Sequence, residues 1–271
     1  MSPRREARNV TRLPRGDLAI IFGSGLSVVP DGAEVEDEIS YEELGWPATS
    51  VAGHPNRLLV ARWAPVGRNR LRTLLACGRP HLYEGWDDAD LERPVRELSA
   101  AGVSGLFVTN ATGALTPDLA PGTAVVVTQV VDLQHAPHDE PPILEVAGGH
   151  EAARLAASLE PSLPAATGRY VAVPGPQYET PAEAAWLRSF GEVVGMSTAP
   201  EVRAARSVGL PVRALSLVVN VSGASLAHSE VVAAGVRLTD GLARGLGPLV
   251  GAFLTGLARQ AAGNPTGRGA P

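Results

Sequence analysis

The chain of 271 residues contains no lysine; all 23 of its basic side chains are arginine. That excludes a P-loop, whose lysine contacts the phosphates. It also excludes Schiff-base and pyridoxal chemistry, which need an amine nucleophile. Cysteine is nearly absent as well. The lone Cys77 excludes a disulfide framework and a cysteine-based zinc site. No apolar run approaches the roughly 18 uninterrupted residues of a membrane span. The arginines near the start are followed by no apolar stretch of the secretory kind. The expectation is a cytoplasmic protein with no membrane partner.

Charge is placed unevenly. Arg4, Arg5, Arg8, Arg12 and Arg15 face one acid, Glu6, in the first 15 residues, although the chain as a whole carries −5. The body is therefore acidic, which argues against a nucleic-acid partner. Apolar residues make up 45% and charged residues 19% of the chain, enough for a sizeable core. Residues 1–16 read as a flexible basic tail, 17–259 as one domain, and the Gly/Pro-rich residues 260–271 as a flexible end.

Within the body, short apolar runs alternate with helical patterns. Strands are expected at Leu18–Phe22, Arg57–Trp63, Leu71–Ala76, Gly105–Thr109, Ala124–Val131, Tyr170–Val173 and Val212–Asn220. Helices are expected at Leu91–Ala101, His150–Leu159, Ala182–Phe190, Ala199–Val208 and Glu230–Arg259. The last has Val232, Val236, Ala243, Leu246, Val250, Phe253 and Leu257 on one face, with Pro248 expected to kink or split it. This alternation predicts an α/β layered fold with a largely buried sheet. Thr180-Pro-Ala-Glu183 and Thr198-Ala-Pro-Glu201 both read as capping boxes. Glu179 and Ser197 stand just ahead of them, where free N–H groups and the helix field favour an anion.

Several segments carry chemistry. Gly23-Ser24-Gly25 ends the first strand, but Val28 stands where a dinucleotide fingerprint needs its third glycine. It remains a strand-end turn able to cradle a phosphate. Gly78-Arg79-Pro80-His81-Leu82-Tyr83-Glu84-Gly85 concentrates four functional side chains after a strand, and arginine suits bidentate phosphate binding. Thr109-Asn110-Ala111-Thr112-Gly113-Ala114 reads as a small-residue turn after another strand. His135-x-x-His138-Asp139 lies in a Pro-rich loop without an evident third ligand, so no metal site is expected. The seven acids between Asp31 and Glu43 read as a solvated loop, because the calcium-loop spacing is missing.

Taken in order, these segments resemble the trimeric, 6-oxopurine-preferring class of purine nucleoside phosphorylases. The matching pieces are Gly23-Ser-Gly-Leu26, Gly53-His54, Gly78-Arg-x-His-x-Tyr-Glu-Gly85, Thr109-Asn-Ala111, Gly175-Pro-x-Tyr-Glu-Thr-Pro-Ala-Glu183, Gly195-Met-Ser-Thr-x-Pro-Glu201, Asn220 and His228-x-Glu-Val231. The resemblance implies a single α/β domain with a mixed central β-sheet flanked by helices. It implies a homotrimer, and inorganic phosphate as co-substrate with no other cofactor. Ser24, His54, Arg79, His81, the Ala111 N–H and Ser197 would bind phosphate. Tyr83 and Met196 would contact the ribose, His228 its 5′-hydroxyl, and Tyr178 the base or sugar, with Asn110 and Thr112 nearby. Glu179 would accept from N1 of a 6-oxopurine, and Asn220 would donate to N7. His81 and His228 join Glu179 and Asn220 in the implied catalytic set.

The chain departs from the class at four places. Thr112 and Ala114 interrupt the usual N-A-A-G-G. Only Val221–Ala227 separates Asn220 from His228. The stretch from Val131 to Arg169 is shortened, and Pro80 replaces an aromatic residue. The alternatives are a phosphorylase for adenosine or 5′-modified 5′-deoxyadenosines, and a binding homologue with impaired turnover. Where Asn220 stands, methylthioadenosine phosphorylases usually have aspartate.

Overall fold

The computed structural model describes residues 11–135, 140–223 and 228–263. Its elements run β1 (Leu18–Phe22), β2 (Glu34–Ser40), α1 (Tyr41–Leu44), β3 (Arg57–Trp63), β4 (Leu71–Cys77), α2 (Asp88–Ala100), β5 (Leu106–Ala114) and β6 (Ala124–Asp132). There follow β7 (Ile143–Glu145), α3 (Gly149–Leu159), β8 (Ala165–Ala172), α4 (Pro181–Leu187), β9 (Val193–Gly195), α5 (Ala199–Ser207), β10 (Val212–Val221) and α6 (His228–Gly263).

The strands form one mixed sheet in the order β2-β3-β4-β1-β5-β9-β8-β6-β10, with β7 beside β6. β10 pairs with β5 as well as β6, so β5, β9, β8, β6 and β10 close into a ring. β1 lies parallel to both β4 and β5. From β1 the chain first builds one side of the sheet and then returns to build the other. Such a reversal leaves a crevice outside the carboxyl ends of the strands, which is where ligands bind in α/β sheets.

Every residue of β1 is buried, as a strand covered on both faces requires. Its side chains alternate between two cores. Ala19 and Ile21 join one with Val95 and Leu98 of α2 and Val202 and Ala205 of α5. Leu18, Ile20 and Phe22 join the other with Leu155 of α3 and Leu246, Val250 and Phe253 of α6. Helices thus cover both faces. On the first face Arg203 of α5 clamps neighbouring elements. Its guanidinium bonds Asp88 and Glu92 on α2 and Asp132 on β6, each at 2.7 Å.

Several elements differ from expectation. The acidic segment is solvated but is a strand, β2, paired antiparallel with β3 at the sheet edge. Its carboxylates meet arginines on the neighbouring strands, including Glu36 with Arg62 at 3.0 Å and Glu38 with Arg57 at 3.1 Å. Charge on an edge strand also discourages pairing with another chain. Thr109–Ala114 is the second half of β5, held extended by β10 alongside it rather than bent into a turn.

The helix α6 runs unbroken through Pro248 and continues to Gly263, past the expected end of the domain. Its inner face uses Leu242 and Leu249, whereas Val236 is exposed. The segment Ser229–Gln260 is long and apolar enough to cross a membrane, but half of its most apolar window is buried inside the protein, as a core helix would be. At the other end, Thr11 donates to the Glu43 carbonyl and Leu13 packs on the core, so the ordered chain begins before residue 17.

Candidate active site

The carboxyl ends of β1, β4, β5, β9 and β10 converge on a cavity of about 290 Å³, close to the roughly 300 Å³ lower bound of small-molecule sites. Its wall includes Ser24, Arg79, His81, Tyr83, Asn110, Ala111, Thr112, Tyr178, Glu179, Met196, Ser197 and Asn220. These are the expected site residues apart from two. His54 stands behind Ser24. The side chain of His228 lies outside the described residues, as does His138.

Gly23 brings β1 and β5 together at this point. A Cβ on it would stand 2.8 Å from the Asn110 Cα, so a larger residue would push the two strand ends apart. The chain turns at once, with Leu26 donating to the Gly23 carbonyl. That turn presents Ser24, whose Oγ lies 2.8 Å from His54 Nε2. The other ring nitrogen, Nδ1, accepts from the Arg79 backbone N–H at 3.2 Å. Nδ1 is therefore unprotonated, and the Nε2 hydrogen points at the serine oxygen.

Arg79 is almost fully buried. Its Nε lies 2.6 Å from Glu201 Oε1, and its Nη1 donates to Ser197 Oγ at 3.0 Å. Nη2 is buried with no hydrogen-bond partner among the described residues. A buried guanidinium demands a counter-charge, and Glu201 supplies it. This overturns the second expected capping box. Thr198 sits at φ +75° and makes no side-chain cap. Its hydroxyl instead accepts from Asn110 Nδ2 at 3.0 Å. The Ser197 N–H is also engaged, donating to the Tyr170 hydroxyl at 3.2 Å. The first expected box is present at Thr180 and Glu183.

His81 is held by Glu84, which the sequence reading left without a role. The Glu84 carboxylate accepts from the His81 N–H at 2.8 Å and lies 3.2 Å from His81 Nδ1. An ionised carboxylate only accepts, so Nδ1 carries the hydrogen and Nε2 is left for a ligand. Burial works to raise the Glu84 pKa. Hydrogen bonds from His81, Ser50 and Thr49 outweigh it and draw the pKa down to about 2.

Tyr83 stacks on the His81 ring at 4.9 Å. Burial, followed by the nearby Glu84 and Tyr178, pushes the Tyr83 hydroxyl up to about 12, so it stays a neutral donor and acceptor. Across from it lies Met196. Gly175, at φ +74°, fits between the two; a Cβ there would stand 2.6 Å from the Met196 sulfur and 2.8 Å from Tyr83.

On the opposite wall, β10 carries an irregularity between Val218 and Asn220. Asn220 Nδ2 donates to the adjacent Val221 carbonyl at 3.3 Å. Glu179 Oε2 accepts from Ser222 Oγ at 2.6 Å, a contact that sequence reading missed. The Thr112 hydroxyl, on the cavity wall, commits its hydrogen to the Val194 carbonyl at 2.6 Å. His135 pairs with Asp88 at 3.1 Å, away from the cavity wall. Among the described residues, no three of His, Cys, Asp and Glu are grouped to hold a metal ion.

The cavity thus places a buried, part-satisfied guanidinium and several hydroxyls opposite an amide and a carboxylate. A model of the phosphorylase superfamily matches residues 17–244. The chain belongs to that superfamily. It is 35% identical over 253 residues to the purine nucleoside phosphorylase of Mycobacterium leprae, spanning 90% of this chain and 92% of that one. The Schistosoma mansoni purine nucleoside phosphorylase solved in complex with inosine has a TM-score of 0.70 and 30% identity, covering 87% of this chain and 89% of the other. A Schistosoma mansoni purine nucleoside phosphorylase solved in complex with adenosine has a TM-score of 0.68 and 28% identity, covering 87% of this chain and 90% of the other. The superfamily member described here is an enzyme of the purine nucleoside phosphorylase type.

Proposed function

We propose that the protein cleaves purine nucleosides with inorganic phosphate, giving the free base and α-ribose 1-phosphate, and that it prefers 6-oxopurines. The carrying observation is the shared cavity: Arg79, braced by Ser197 and Glu201, faces the same space as Asn220 and Glu179. The phosphate would take the remaining guanidinium donor together with the Ser24 and Ser197 hydroxyls, the Ala111 N–H and His81. Charge-assisted bonds of this kind are the strong ones.

In the reaction the bond between C1′ and N9 breaks, and the ribosyl group passes through an oxocarbenium-like state. A phosphate oxygen stabilises that cation and then bonds to C1′. The base departs with the electron pair. Asn220 would turn from the Val221 carbonyl to donate to N7, where charge develops; a bond made mainly in the transition state raises turnover. Glu179 would accept from N1–H. Adenine has no hydrogen at N1 and would set a lone pair against the carboxylate, a mismatch that polar sites reject strongly. The base preference rests on this carboxylate, since Schistosoma mansoni purine nucleoside phosphorylases have been solved with inosine and with adenosine. No metal or organic cofactor has a part in the proposal. The trimeric assembly of the resembled class is carried over as part of it.

The test is turnover of inosine, guanosine, adenosine and methylthioadenosine, each with and without phosphate. Phosphate-dependent release of hypoxanthine and guanine, with adenosine much slower, is the expected result. Turnover independent of phosphate, or a preference for the adenosine type, would contradict the proposal.

A further inference from the structure

We infer that Ser222 is a specificity-determining positioning residue, which holds Glu179 in the orientation that reads a 6-oxopurine. The inference rests on the proposed function and deepens it. The bond from Ser222 Oγ to Glu179 Oε2 is short, 2.6 Å. It is the hydrogen bond that the Glu179 carboxylate makes among the described residues, and it leaves Oε1 for the base. Thr180, the next residue, cannot substitute for Ser222, because its hydroxyl is committed to Glu183 at 2.8 Å. The serine is itself anchored: its N–H donates to the Ala114 carbonyl at the end of β5, at 2.8 Å.

The spacing has a consequence for the site. Asn220 and Ser222 are two residues apart where the chain leaves β10, and the register irregularity ahead of Asn220 sets where both fall. One strand end therefore supplies the group proposed to read N7 and the group that orients the reader of N1. The serine hydroxyl has a single hydrogen, and it is directed to the carboxylate. The bond thereby opposes the change that would admit adenine, rotation of Glu179 away from the base.

The experiment compares Ser222→Ala and Ser222→Thr with the unchanged protein, using inosine, guanosine and adenosine at saturating phosphate. Ser222→Ala is expected to lower kcat/KM for inosine and guanosine about tenfold, equivalent to roughly 1.4 kcal/mol, and to spare adenosine. The KM for phosphate stays within about twofold, and Ser222→Thr restores most of the loss, as one hydrogen bond to a charged group would. Equal losses on all three nucleosides, or an unchanged inosine-to-adenosine ratio, would overturn the assignment. Calorimetric titration with hypoxanthine and adenine separates this failure from failure of the functional reading. A preference for hypoxanthine that narrows in Ser222→Ala supports the role even if turnover is absent. A preference that does not change removes it.

Discussion

On the Arg79 side of the cavity the polar groups hold one another: Ser24 to His54, His54 to the Arg79 backbone, Arg79 to Ser197 and Glu201, and His81 to Glu84. On the Asn220 side the contacts are sparse. Asn220 is turned to a neighbouring carbonyl and Glu179 has its bond from Ser222. A dianion such as phosphate is costly to desolvate, and a fixed set of donors answers that cost without rearranging. A base is a neutral, flat group that is read at two edges, so few contacts suffice and they can turn on binding. On the proposed reading, the half assigned to the anion is built before ligand arrives, whereas the half assigned to the base is completed by it.

The largest effect should follow from breaking the braced half. Arg79→Ala removes the central donor and leaves Glu201, also buried, without its partner. Such loss typically costs about 3–5 kcal/mol. We expect a lower unfolding temperature together with at least a thousandfold loss of kcat/KM, measured by thermal unfolding and steady-state kinetics. Retained turnover at normal phosphate concentrations would show that the anion sits elsewhere.

Asn220→Ala strikes the other half. Loss of a donor that acts on developing charge costs roughly 10²–10³ in kcat. Phosphate affinity should be almost unchanged, because among the described residues no hydrogen bond joins Asn220 to the Arg79 network. Comparable losses in kcat and in phosphate binding would mean that the two halves are not separable.

The smallest effect concerns the brace on His81. The Glu84 carboxyl is lowered from 4.5 to about 2 in the fold. A lowered carboxyl adds stability above its unfolded pKa, and that contribution is lost as pH falls from about 4.5 towards 2. Glu84→Gln should therefore melt below the unchanged protein at pH 7, and the gap should close under acid. A gap that persists at pH 2.5 would place the effect in packing rather than charge.

The two halves also differed in how readily sequence revealed them. The motif around Arg79 and His81 stood out because it concentrates rare side chains after a strand, and the fold brings them to one wall. Glu201 was legible only as a helix cap. Its spacing from Thr198 fits a capping box, and nothing local shows that a buried arginine just past β4 claims it instead. Ser222 carried no signal, since a serine in a short loop is ordinary until Glu179 is folded against it. Among the strands, the continuous apolar run Leu18–Phe22 and the Val- and Leu-rich Val212–Asn220 could be read directly. β2 could not, because an edge strand is solvated and its acids mask the pattern. Nor was the closure of β5 through β10 visible, because it depends on pairings between distant segments.

The measurement that bears most directly on this account is calorimetric titration of inorganic phosphate, without nucleoside, into the unchanged protein and into Asn220→Ala. A braced anion half predicts one phosphate per chain with closely similar affinity in both. Phosphate binding that requires nucleoside, or that is lost in Asn220→Ala, would contradict it.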